Sequence, residues 1–565
     1  MDFKKIIAKN LKIEGVTEEE IVSSLAPTPD EKCGDVCLPC FKFAKALRKA
    51  PQMIATDLKN ALDASGCALI GKTEIAGGYL NIFYNREEVV RLTVAELNEK
   101  GGSAYKQKEA NGKTVTIDYS SINIAKPFHI GHLLTTVIGG SLYKIFKYLG
   151  YNAVGINHLG DWGTQFGKMI CAYLKWGNDE DIEKRGVKAL LDLYVRFHTE
   201  AEKDEKLDDE GRAWFKKIED GDEQAHKIFN KFKEITIAEV KKVYARLGVE
   251  FDSYAGEAFY NDKMQPIIDE LEEKNLLVES EGARVVNLDE YGMAPCLILK
   301  SDGATLYATR DLAAASYRKA HYDFYKNLYV VAYQQNLHFK QVFKVLELMG
   351  KEWANDCIHV PFGMVSLEGQ GSLSTRKGNV VFLEEVLDTA VEKAKSVIES
   401  KNPDLEGKEE IANQVGVGAV VFGALSQGRI KDLVFSYDKA LSFEGETAPY
   451  IQYTHARCKS VIARAGEVDA DFDEKVLCDD SSFALVKLLS AFDAVVLDSA
   501  DKYEPSIISR YLIDLAKAYN KFYIDHRILG EEPSVCKTRL ALTQYVCNTL
   551  KDGLSLILIS APDKM

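Results

Sequence analysis

His129-Ile130-Gly131-His132 lies at the centre of residues 118–165, the stretch of sequence that decides the fold. Upstream, the β-branched run Thr114-Val115-Thr116-Ile117 predicts a strand. Downstream, residues 131–149 predict a helix and residues 152–157 a second strand. Together they predict a βαβ unit, which presents free backbone N–H groups and a positive helix end where the phosphates of a nucleotide can bind. The two imidazoles stand at that end.

The four-residue motif resembles the HIGH signature of the class I aminoacyl-tRNA synthetases. By itself, a helix-capping histidine pair in a core would explain it equally well. The flanks change this balance, because they resemble those of arginyl-tRNA synthetases. They are Ser120-Ser121-Ile122-Asn123-Ile124-Ala125-Lys126-Pro127-Phe128 and His158-Leu159-Gly160-Asp161-Trp162-Gly163-Thr164-Gln165-Phe166-Gly167.

The length of 565 residues predicts three or four domains. The start, Met1-Asp2-Phe3-Lys4-Lys5, lacks the apolar region of a signal peptide, and no apolar run approaches the roughly 18 residues that span a bilayer. We therefore expect a cytoplasmic protein with no membrane partner. The net charge of −14 argues mildly against nucleic acid as a partner, but affinity for phosphates depends on where Lys and Arg cluster rather than on the total.

The eleven cysteines are scattered along the chain, which favours free thiols in a reducing compartment over disulfides. Cys33, Cys37 and Cys40 could suggest a metal site. A structural zinc needs four ligands and no nearby Cys or His pair completes the set, so buried thiols are the favoured interpretation. We expect no tightly bound metal or organic cofactor.

The domain organisation follows from composition, periodicity and the resemblance. Residues 1–105 resemble the α+β N-terminal domain that touches the tRNA elbow, and residues 112–391 a Rossmann-type catalytic domain with a parallel sheet. Helical spacing predicts a helical insertion at about 176–248, to which the sequence assigns no chemistry. Residues 392–565 resemble an all-helical anticodon-binding domain. The fold class is therefore multidomain α/β.

A second basic, hydroxyl-rich loop, Gly371-Ser372-Leu373-Ser374-Thr375-Arg376-Lys377-Gly378-Asn379, resembles the KMSKS signature of class I synthetases. Ser372 stands where lysine is common and Leu373 replaces methionine. Ile122, where proline is usual, puts the rigidity of the first loop in doubt, and Leu134, where arginine is frequent, puts a charge contact in doubt. Arginine enzymes often carry a weakened form of this second loop, and Lys126 is the expected substitute for the missing lysine. Neither the departure at Ile122 nor that at Leu134 removes a catalytic group.

The resemblance assigns most of the chemistry to the two loops. Catalysis of amino-acid activation is chiefly the positioning and neutralisation of phosphates, with Mg²⁺ bridging the phosphates of ATP. The expected catalytic residues are His129, His132, Lys126, Arg376 and Lys377. The expected ATP-binding residues are Gly131, which would let adenine approach the backbone, and His158, Gly160, Asp161, Gln165 and Ser374.

A guanidinium substrate asks for a planar, anionic pocket. Asp311 can accept it, Tyr307 lies four residues earlier on the same predicted helix, and Gln335 lies on a neighbouring loop after a strand predicted at 329–332. The alternative for Asp311 is a salt bridge with Arg310 or Arg318. By family match, the α-amino and carboxylate end of arginine would contact Asp118, Ser121 and Asn123.

Aromatic and basic residues at helical spacing suit splayed RNA bases. Each tyrosine taken singly could equally be a core residue. The expected tRNA-binding residues are Tyr84 and Asn85 in the N-terminal domain, and Tyr453, Arg457, Tyr519, Tyr523 and Met565 in the C-terminal domain.

The resemblance implies an arginine–tRNA ligase whose partners are arginine tRNA, L-arginine and ATP, with activation dependent on bound tRNA. We expect a monomer. Two alternatives stay open. Another HIGH-loop enzyme, such as the cysteine synthetase or a small adenylyltransferase, would show active-site zinc ligands or lack the C-terminal domain. A non-catalytic RNA-binding or regulatory paralogue would be expected to lose the histidines or the cations, which this sequence keeps.

Overall fold

The N-terminal region is a four-stranded antiparallel sheet of order β1-β2-β4-β3, packed against helices. The structure is a computed structural model that describes residues 3–300, 307–369, 380–466 and 468–565. The elements of this region are α1 (Phe3–Lys9), α2 (Glu18–Ser24), β1 (Ala26–Pro27), β2 (Val36–Pro39), α3 (Ala44–Leu47), α4 (Pro51–Ala64), β3 (Ile70–Ala76), β4 (Tyr79–Tyr84) and α5 (Arg86–Glu99).

A four-stranded parallel sheet of order β11-β10-β5-β6 forms the centre of the catalytic region. A small antiparallel sheet, β7-β8-β9, packs beside α12 and α13. The elements up to the end of the insertion are β5 (Thr114–Asp118), α6 (Leu133–Tyr148), β6 (Asn152–Ile156), α7 (Thr164–Trp176), α8 (Asp179–Arg185), α9 (Val187–Ala201), α10 (Lys206–Glu219) and α11 (Glu223–Leu247). Those that follow are α12 (Met264–Glu273), β7 (Leu277–Ser280), β8 (Ala283–Val286), β9 (Cys296–Leu299), α13 (Tyr307–Tyr322), β10 (Phe324–Tyr329), α14 (Asn336–Leu348), β11 (Cys357–His359) and β12 (Val365–Leu367).

The rest of the chain is helical apart from the three-residue strand β13, which pairs in parallel with β12. Its elements are α15 (Leu383–Lys401), α16 (Lys408–Leu425), β13 (Leu433–Phe435), α17 (Tyr437–Ala440), α18 (Ala448–Ala465), α19 (Asp480–Asp501), α20 (Ser506–Asp525) and α21 (Pro533–Leu556).

The predicted βαβ unit is confirmed as β5, α6 and β6. Helix α6 is buried along most of its length, because it packs on the sheet on one side and on the C-terminal helices on another. A Cβ added at Gly139 would lie 2.2 Å from the Cβ of Tyr119, so glycine lets α6 approach the end of β5 closely. The Ser141 hydroxyl donates to the carbonyl of Leu556 at 2.8 Å, which ties α6 to the end of α21.

The strand predicted at 329–332 is wrong in position. β10 spans Phe324–Tyr329, and residues 330–332 already belong to the loop after it. The alternation in Phe324–Tyr329 is interrupted by Lys326, where the register with β5 shifts, and this irregularity weakened the sequence signal. Since β10 ends at Tyr329, Val330 lies at the carboxyl edge of the sheet.

All eleven cysteines are free thiols, with Cys37 and Cys40 buried and Cys33 exposed. Within the described residues, no cluster of three or more His, Cys, Asp or Glu side chains could hold a metal ion. In the same part of the chain, every helix is too short or too polar to cross a bilayer.

Candidate active site and anticodon cavity

The carboxyl edge of the parallel sheet carries the candidate active site. β5, β6 and β10 run parallel, so the residues that follow each strand meet at this edge. The backbone N–H of Ser120 donates to the Thr135 hydroxyl at 3.0 Å, and that hydroxyl donates to the carbonyl of Val330 at 2.7 Å. Thr135 thus joins the loops after β5 and β10 at the start of α6.

His129 and His132 fix each other's orientation. Nδ1 of His129 accepts the N–H of Gly131 at 3.0 Å, and Nδ1 of His132 accepts the N–H of His129 at 3.2 Å. The ring centroids lie 4.1 Å apart. Because each Nδ1 is an acceptor, each neutral ring carries its proton on Nε2. Both imidazoles therefore have an Nε2–H donor of the kind that a phosphate oxygen accepts.

Both histidines are neutral near pH 7. Burial and the Lys126 ammonium lower the pKa of His129 to about 4. Burial and the neighbouring His129 ring lower the pKa of His132 to about 3. Charged imidazoles would repel each other and Lys126, so the neutral forms are favoured. The pair offers hydrogen bonds, and Lys126 supplies the positive charge.

The space beside Gly131 is filled by the His129 ring. A Cβ at position 131 would lie 2.6 Å from Cε1 and 2.7 Å from Nδ1 of that ring. Any larger residue would therefore displace the imidazole. The His129 ring therefore explains why position 131 is glycine. The approach of adenine to this backbone stays a prediction.

The loop after β5 holds strained backbone that α11 supports. Ser120, Ser121 and Ala125 have φ angles of 68°, 44° and 58°, a left-handed region that costs non-glycine residues about 1 kcal/mol or more each. The N–H of Ala125 donates to the Thr236 hydroxyl at 3.0 Å, and the Ser120 and Tyr244 hydroxyls are 2.7 Å apart. The insertion, to which the sequence assigned no chemistry, therefore shapes this loop.

Asp161, an expected ATP-binding residue, is engaged by the protein itself. Its carboxylate accepts the Lys233 ammonium at 2.7 Å and the N–H of Ala258 at 2.9 Å, and its side chain is only 1% exposed. Neither partner could be predicted from the sequence. These contacts tie α11 to the chain after Gly256, and the predicted contact of Asp161 with ATP stays a prediction.

Asn123 and Gly160 lie on adjacent backbones. The N–H of Ile124 donates to the carbonyl of Gly160 at 3.1 Å, and the N–H of Gly160 donates to the carbonyl of Ile122 at 2.8 Å. A Cβ at Gly160 would lie 2.4 Å from Oδ1 of Asn123. Glycine at position 160 therefore leaves room for the side-chain amide of Asn123. Gly160 has this structural role in addition to its predicted contact with ATP.

Asp118 forms a buried ion pair with Arg318 of α13. Oδ2 lies 2.7 Å from Nη2, and the two side chains are 8% and 1% exposed. The Ser121 hydroxyl donates to Oδ1 of Asp118 at 2.8 Å. A guanidinium buried without this partner would cost several kcal/mol. Since both carboxylate oxygens already have protein donors, the predicted contacts of Asp118 and Ser121 with the amino acid must use the remaining lone pairs.

Asp311, the predicted guanidinium acceptor, is paired with His338, which the sequence reasoning missed. Oδ2 of Asp311 lies 2.6 Å from Nε2 of His338, and each side chain is 24% exposed. The alternative of a salt bridge from Asp311 to Arg310 or Arg318 is wrong, because Arg310 lies 3.7 Å from Glu257 and Arg318 holds another carboxylate. A guanidinium ligand would need the second oxygen of Asp311 and a further acceptor.

Tyr307 and Gln335, the other two residues predicted to contact the arginine side chain, lie at exposed positions. Tyr307 begins α13, one helical turn before Asp311, and is 66% exposed. Gln335 is exposed and directly precedes α14. Their predicted contacts with arginine stay predictions.

Glu257 is a second residue that sequence reasoning missed. Burial raises the pKa of this carboxyl to about 7, and the nearby Arg310 guanidinium opposes the shift. The charges of Asp161, Asp311 and Lys126 also act on it, so it lies within electrostatic reach of the expected ATP and arginine groups. A single glutamate after the insertion has no spacing pattern that would have marked it.

His158 lies beside the buried pair of Asp118 and Arg318, whereas Gln165 contacts its own loop. Nδ1 of His158 is 3.4 Å from Nη2 of Arg318, and its ring stacks on Tyr260. Burial lowers the pKa of His158, while Asp118 opposes the shift. The side-chain amide of Gln165 donates to the carbonyl of Trp162 at 3.2 Å. Their predicted contacts with ATP stay predictions.

Four of the five predicted C-terminal tRNA-binding residues line one cavity of about 690 Å³: Tyr453, Arg457, Tyr523 and Met565. The Arg457 guanidinium lies 5.0 Å from the ring centroid of Tyr453 and 5.1 Å from that of Tyr523, and it bonds to Asn520. Tyr453 is 43% exposed. Because the ring of Tyr453 is open to solvent, this group of one guanidinium and two rings can stack with an unpaired base.

Tyr519, the fifth, has a buried ring in the core of the C-terminal helices. A base cannot stack on it in this conformation. The i, i+4 spacing with Tyr523 could not distinguish the two faces of α20.

Three family models match successive parts of the chain. They are the N-terminal domain of arginyl-tRNA synthetases at residues 1–84, the catalytic domain of class I (R) tRNA synthetases at residues 93–437, and the DALR anticodon-binding domain at residues 451–565. Arginine–tRNA ligases from Alkaliphilus metalliredigens and Clostridium botulinum are 51% and 50% identical to it, with full coverage of both chains. The chain belongs to the arginyl-tRNA synthetase family.

A solved structure agrees with this family assignment. The arginyl-tRNA synthetase of Thermus thermophilus superimposes with a TM-score of 0.84 at 26% identity, over 100% of this chain and 99% of that one. The arginyl-tRNA synthetase of Plasmodium falciparum has a TM-score of 0.81 at 22% identity, which shows the same fold.

The second signature loop of this synthetase, with Ser372, Leu373, Ser374, Arg376 and Lys377, lies outside the described residues. The chain that follows it is placed beside the first signature. The N–H of Ile130 donates to the carbonyl of Val381 at 3.0 Å, and His129 pairs with Phe382 in an isolated β-bridge.

In the N-terminal domain, Tyr84 and Asn85 are half-buried and held by protein contacts. Tyr84 packs edge-on against Phe3, and the Asn85 amide donates to the carbonyl of Ala68 at 3.1 Å. Phe41 and Tyr79 are instead 49% and 43% exposed and pack edge to face. Exposure therefore favours this second pair for contact with a base.

Proposed function

We propose that the sheet edge formed by β5, β6 and β10 is the site at which this arginine–tRNA ligase activates L-arginine with ATP. The product, arginyl-AMP, then esterifies the 3′-terminal adenosine of arginine tRNA, and AMP and pyrophosphate are released. The observation that carries the proposal is the neutral pair His129 and His132, whose Nε2–H donors lie beside Lys126 at the start of α6.

In the first step a carboxylate oxygen of arginine attacks the α-phosphorus of ATP while the bond to the pyrophosphate oxygen breaks. Negative charge grows on the phosphate oxygens, and the two imidazoles donate hydrogen bonds to them. Lys126, with Arg376 and Lys377 of the second loop, neutralises the departing pyrophosphate, and the Ser374 hydroxyl offers it a hydrogen bond. Mg²⁺ would enter with ATP as part of the substrate and would add positive charge at its phosphates.

Selection of arginine rests on acidic groups at the same edge. Asp311 accepts the guanidinium with one oxygen while His338 holds the other. Glu257, within electrostatic reach of Asp311, is the candidate for the second acceptor. Asn123 binds the α-amino end, and the room that glycine at position 160 leaves for its amide supports this assignment.

The tRNA contacts lie at both ends of the chain. The cavity around Arg457 receives anticodon bases, and the exposed pair Phe41 and Tyr79 contacts the elbow. We further propose that the ligase acts as a monomer in the cytoplasm. Light scattering of the purified chain would give the molar mass of one copy, and twice that mass would contradict the monomer.

The test of the function is amino-acid-dependent exchange of pyrophosphate into ATP, measured for all twenty amino acids with and without tRNA. Exchange should appear only with arginine and only when arginine tRNA is bound, because tRNA docking supplies the energy that organises the loops. Strong exchange with another amino acid would overturn the substrate. Exchange without tRNA would overturn the coupling alone, and no exchange at all would favour the non-catalytic paralogue.

A further inference from the structure

A separate cavity of about 380 Å³ lies where α6, the end of α11, α16 and α21 meet. None of its lining residues belongs to the active site or to the anticodon cavity. Three of its lining side chains are cationic, Lys144, Arg246 and Lys551, and none is acidic. Its size suits a small ligand, and its charge suits an anion.

Lys144 has an unusual environment for a cation. It is half-buried on α6, and burial lowers the pKa of its ammonium, with Glu250 opposing the shift. Within the described part of the chain, neither Lys144 nor Lys551 forms a hydrogen bond or an ion pair. Arg246, by contrast, is paired with Asp388 at 2.7 Å. A partly desolvated ammonium with only the more distant Glu250 charge to offset its burial is costly, so a bound anion would stabilise it.

The neighbouring protein dipoles do not replace that counter-ion. The end of α11 lies beside Lys144, but its carbonyls at Tyr244 and Ala245 already accept the N–H groups of Val249 and Gly248.

We propose that this cavity binds a phosphate-class anion, with Lys144 and Lys551 as its ion-pair partners. Phosphate monoesters and inorganic phosphate carry several negative oxygens, which two ammonium groups can bind at the same time. The anion is either free inorganic phosphate or a phosphate of bound RNA, and the two sources give different results below.

The experiment measures binding of inorganic phosphate to the full chain by calorimetry, against chloride at equal ionic strength. Lys144→Gln/Lys551→Gln should weaken the affinity of this cavity for phosphate roughly 10- to 100-fold, because each charged hydrogen bond contributes about one factor of ten. Lys147→Gln/Lys521→Gln removes the same charge at exposed positions and should leave the phosphate affinity within twofold of that of the wild type. Lys144→Arg keeps the charge and should keep binding, and arginine activation checks that each variant is folded.

The tRNA arm assigns the source. If the phosphate site is lost and the KM for tRNA rises no more than in Lys147→Gln/Lys521→Gln, the ligand is the free anion. If the phosphate site is lost and the KM for tRNA rises well above that of this charge-matched control, the ligand is a phosphate of bound RNA. Phosphate binding that is unchanged in Lys144→Gln/Lys551→Gln overturns the site, even if the KM for tRNA rises, since long-range charge alone would produce that rise. Equal losses in the control variant would overturn it too.

Discussion

At the scale of single residues, the histidine pair sets the first prediction. His129→Asn and His132→Asn should each lower kcat of activation on the order of 100-fold with little change in the KM for arginine or ATP, because the Nε2–H donors act on charge that develops in the transition state. Steady-state exchange kinetics measure both constants. Wild-type turnover in either variant would remove that histidine from the mechanism.

The same residues predict a pH dependence of stability. Their folded pKa values of about 4 and about 3 lie below the unfolded value of 6.5, so the unfolded chain binds more protons between these limits. Their contribution is therefore fully present above pH 6.5 and is lost as the pH falls towards 4. Urea unfolding at pH 7.5 and pH 5 should show a smaller loss for His129→Asn/His132→Asn than for the wild type. An equal loss in both proteins would contradict the lowered pKa values.

Asp311 and His338 give a graded pair of variants. Asp311→Asn should raise the KM for arginine on the order of 100-fold, and far more than that for ATP, because a charged partner of the guanidinium is lost. His338→Gln should raise the KM for arginine less, because the Asp311 carboxylate remains and loses only the contact that orients it. Citrulline, which is neutral, should compete poorly with arginine in the wild type. Equal affinity for citrulline and arginine would exclude Asp311 from the pocket.

At the scale of elements, the contact between α6 and the end of β5 positions the histidines. Gly139→Ala should destabilise the fold by about 2 kcal/mol or more, because its Cβ would lie 2.2 Å from the Cβ of Tyr119. Thermal unfolding measures the effect. Gly428→Ala is the control, since the nearest atom to its Cβ lies at 3.9 Å. Equal stability of the two variants would mean that α6 can shift without cost.

At the scale of the whole molecule, the N-terminal and C-terminal regions pack on each other. Arg86 at the start of α5 pairs with Asp480 at 2.8 Å, and Lys487 of α19 pairs with Asp35 at 3.1 Å. Tyr545 of α21 donates to the Asn98 amide oxygen at 2.7 Å. The N-terminal and C-terminal regions therefore form a joined support around the catalytic sheet.

The cavity around Arg457, where we propose that anticodon bases bind, gives a prediction at this scale. Arg457→Ala should raise the KM for tRNA roughly 10-fold or more, since stacking on one base contributes about 1–3 kcal/mol. Exchange at saturating tRNA should keep its arginine KM, because the cavity lies outside the sheet edge. Lys502→Ala removes an exposed charge from the same helical region as a control. A parallel change in arginine KM would show that Arg457 acts through the fold rather than on tRNA.

The sequence by itself determined the βαβ unit, the histidine pair and the resemblance that names the family, because these depend on residues close together in the chain. Only the tertiary structure decided which groups hold them. Asp118 and Arg318 are 200 residues apart, and Asp311 and His338 lie on different helices. The burial of the Tyr519 ring and the partners of Asp161, Lys233 and Ala258, were likewise decided by packing. The physical reason is that periodicity records which face of a helix is apolar, whereas the partner of a buried polar group is set by distant elements that meet only in the folded chain.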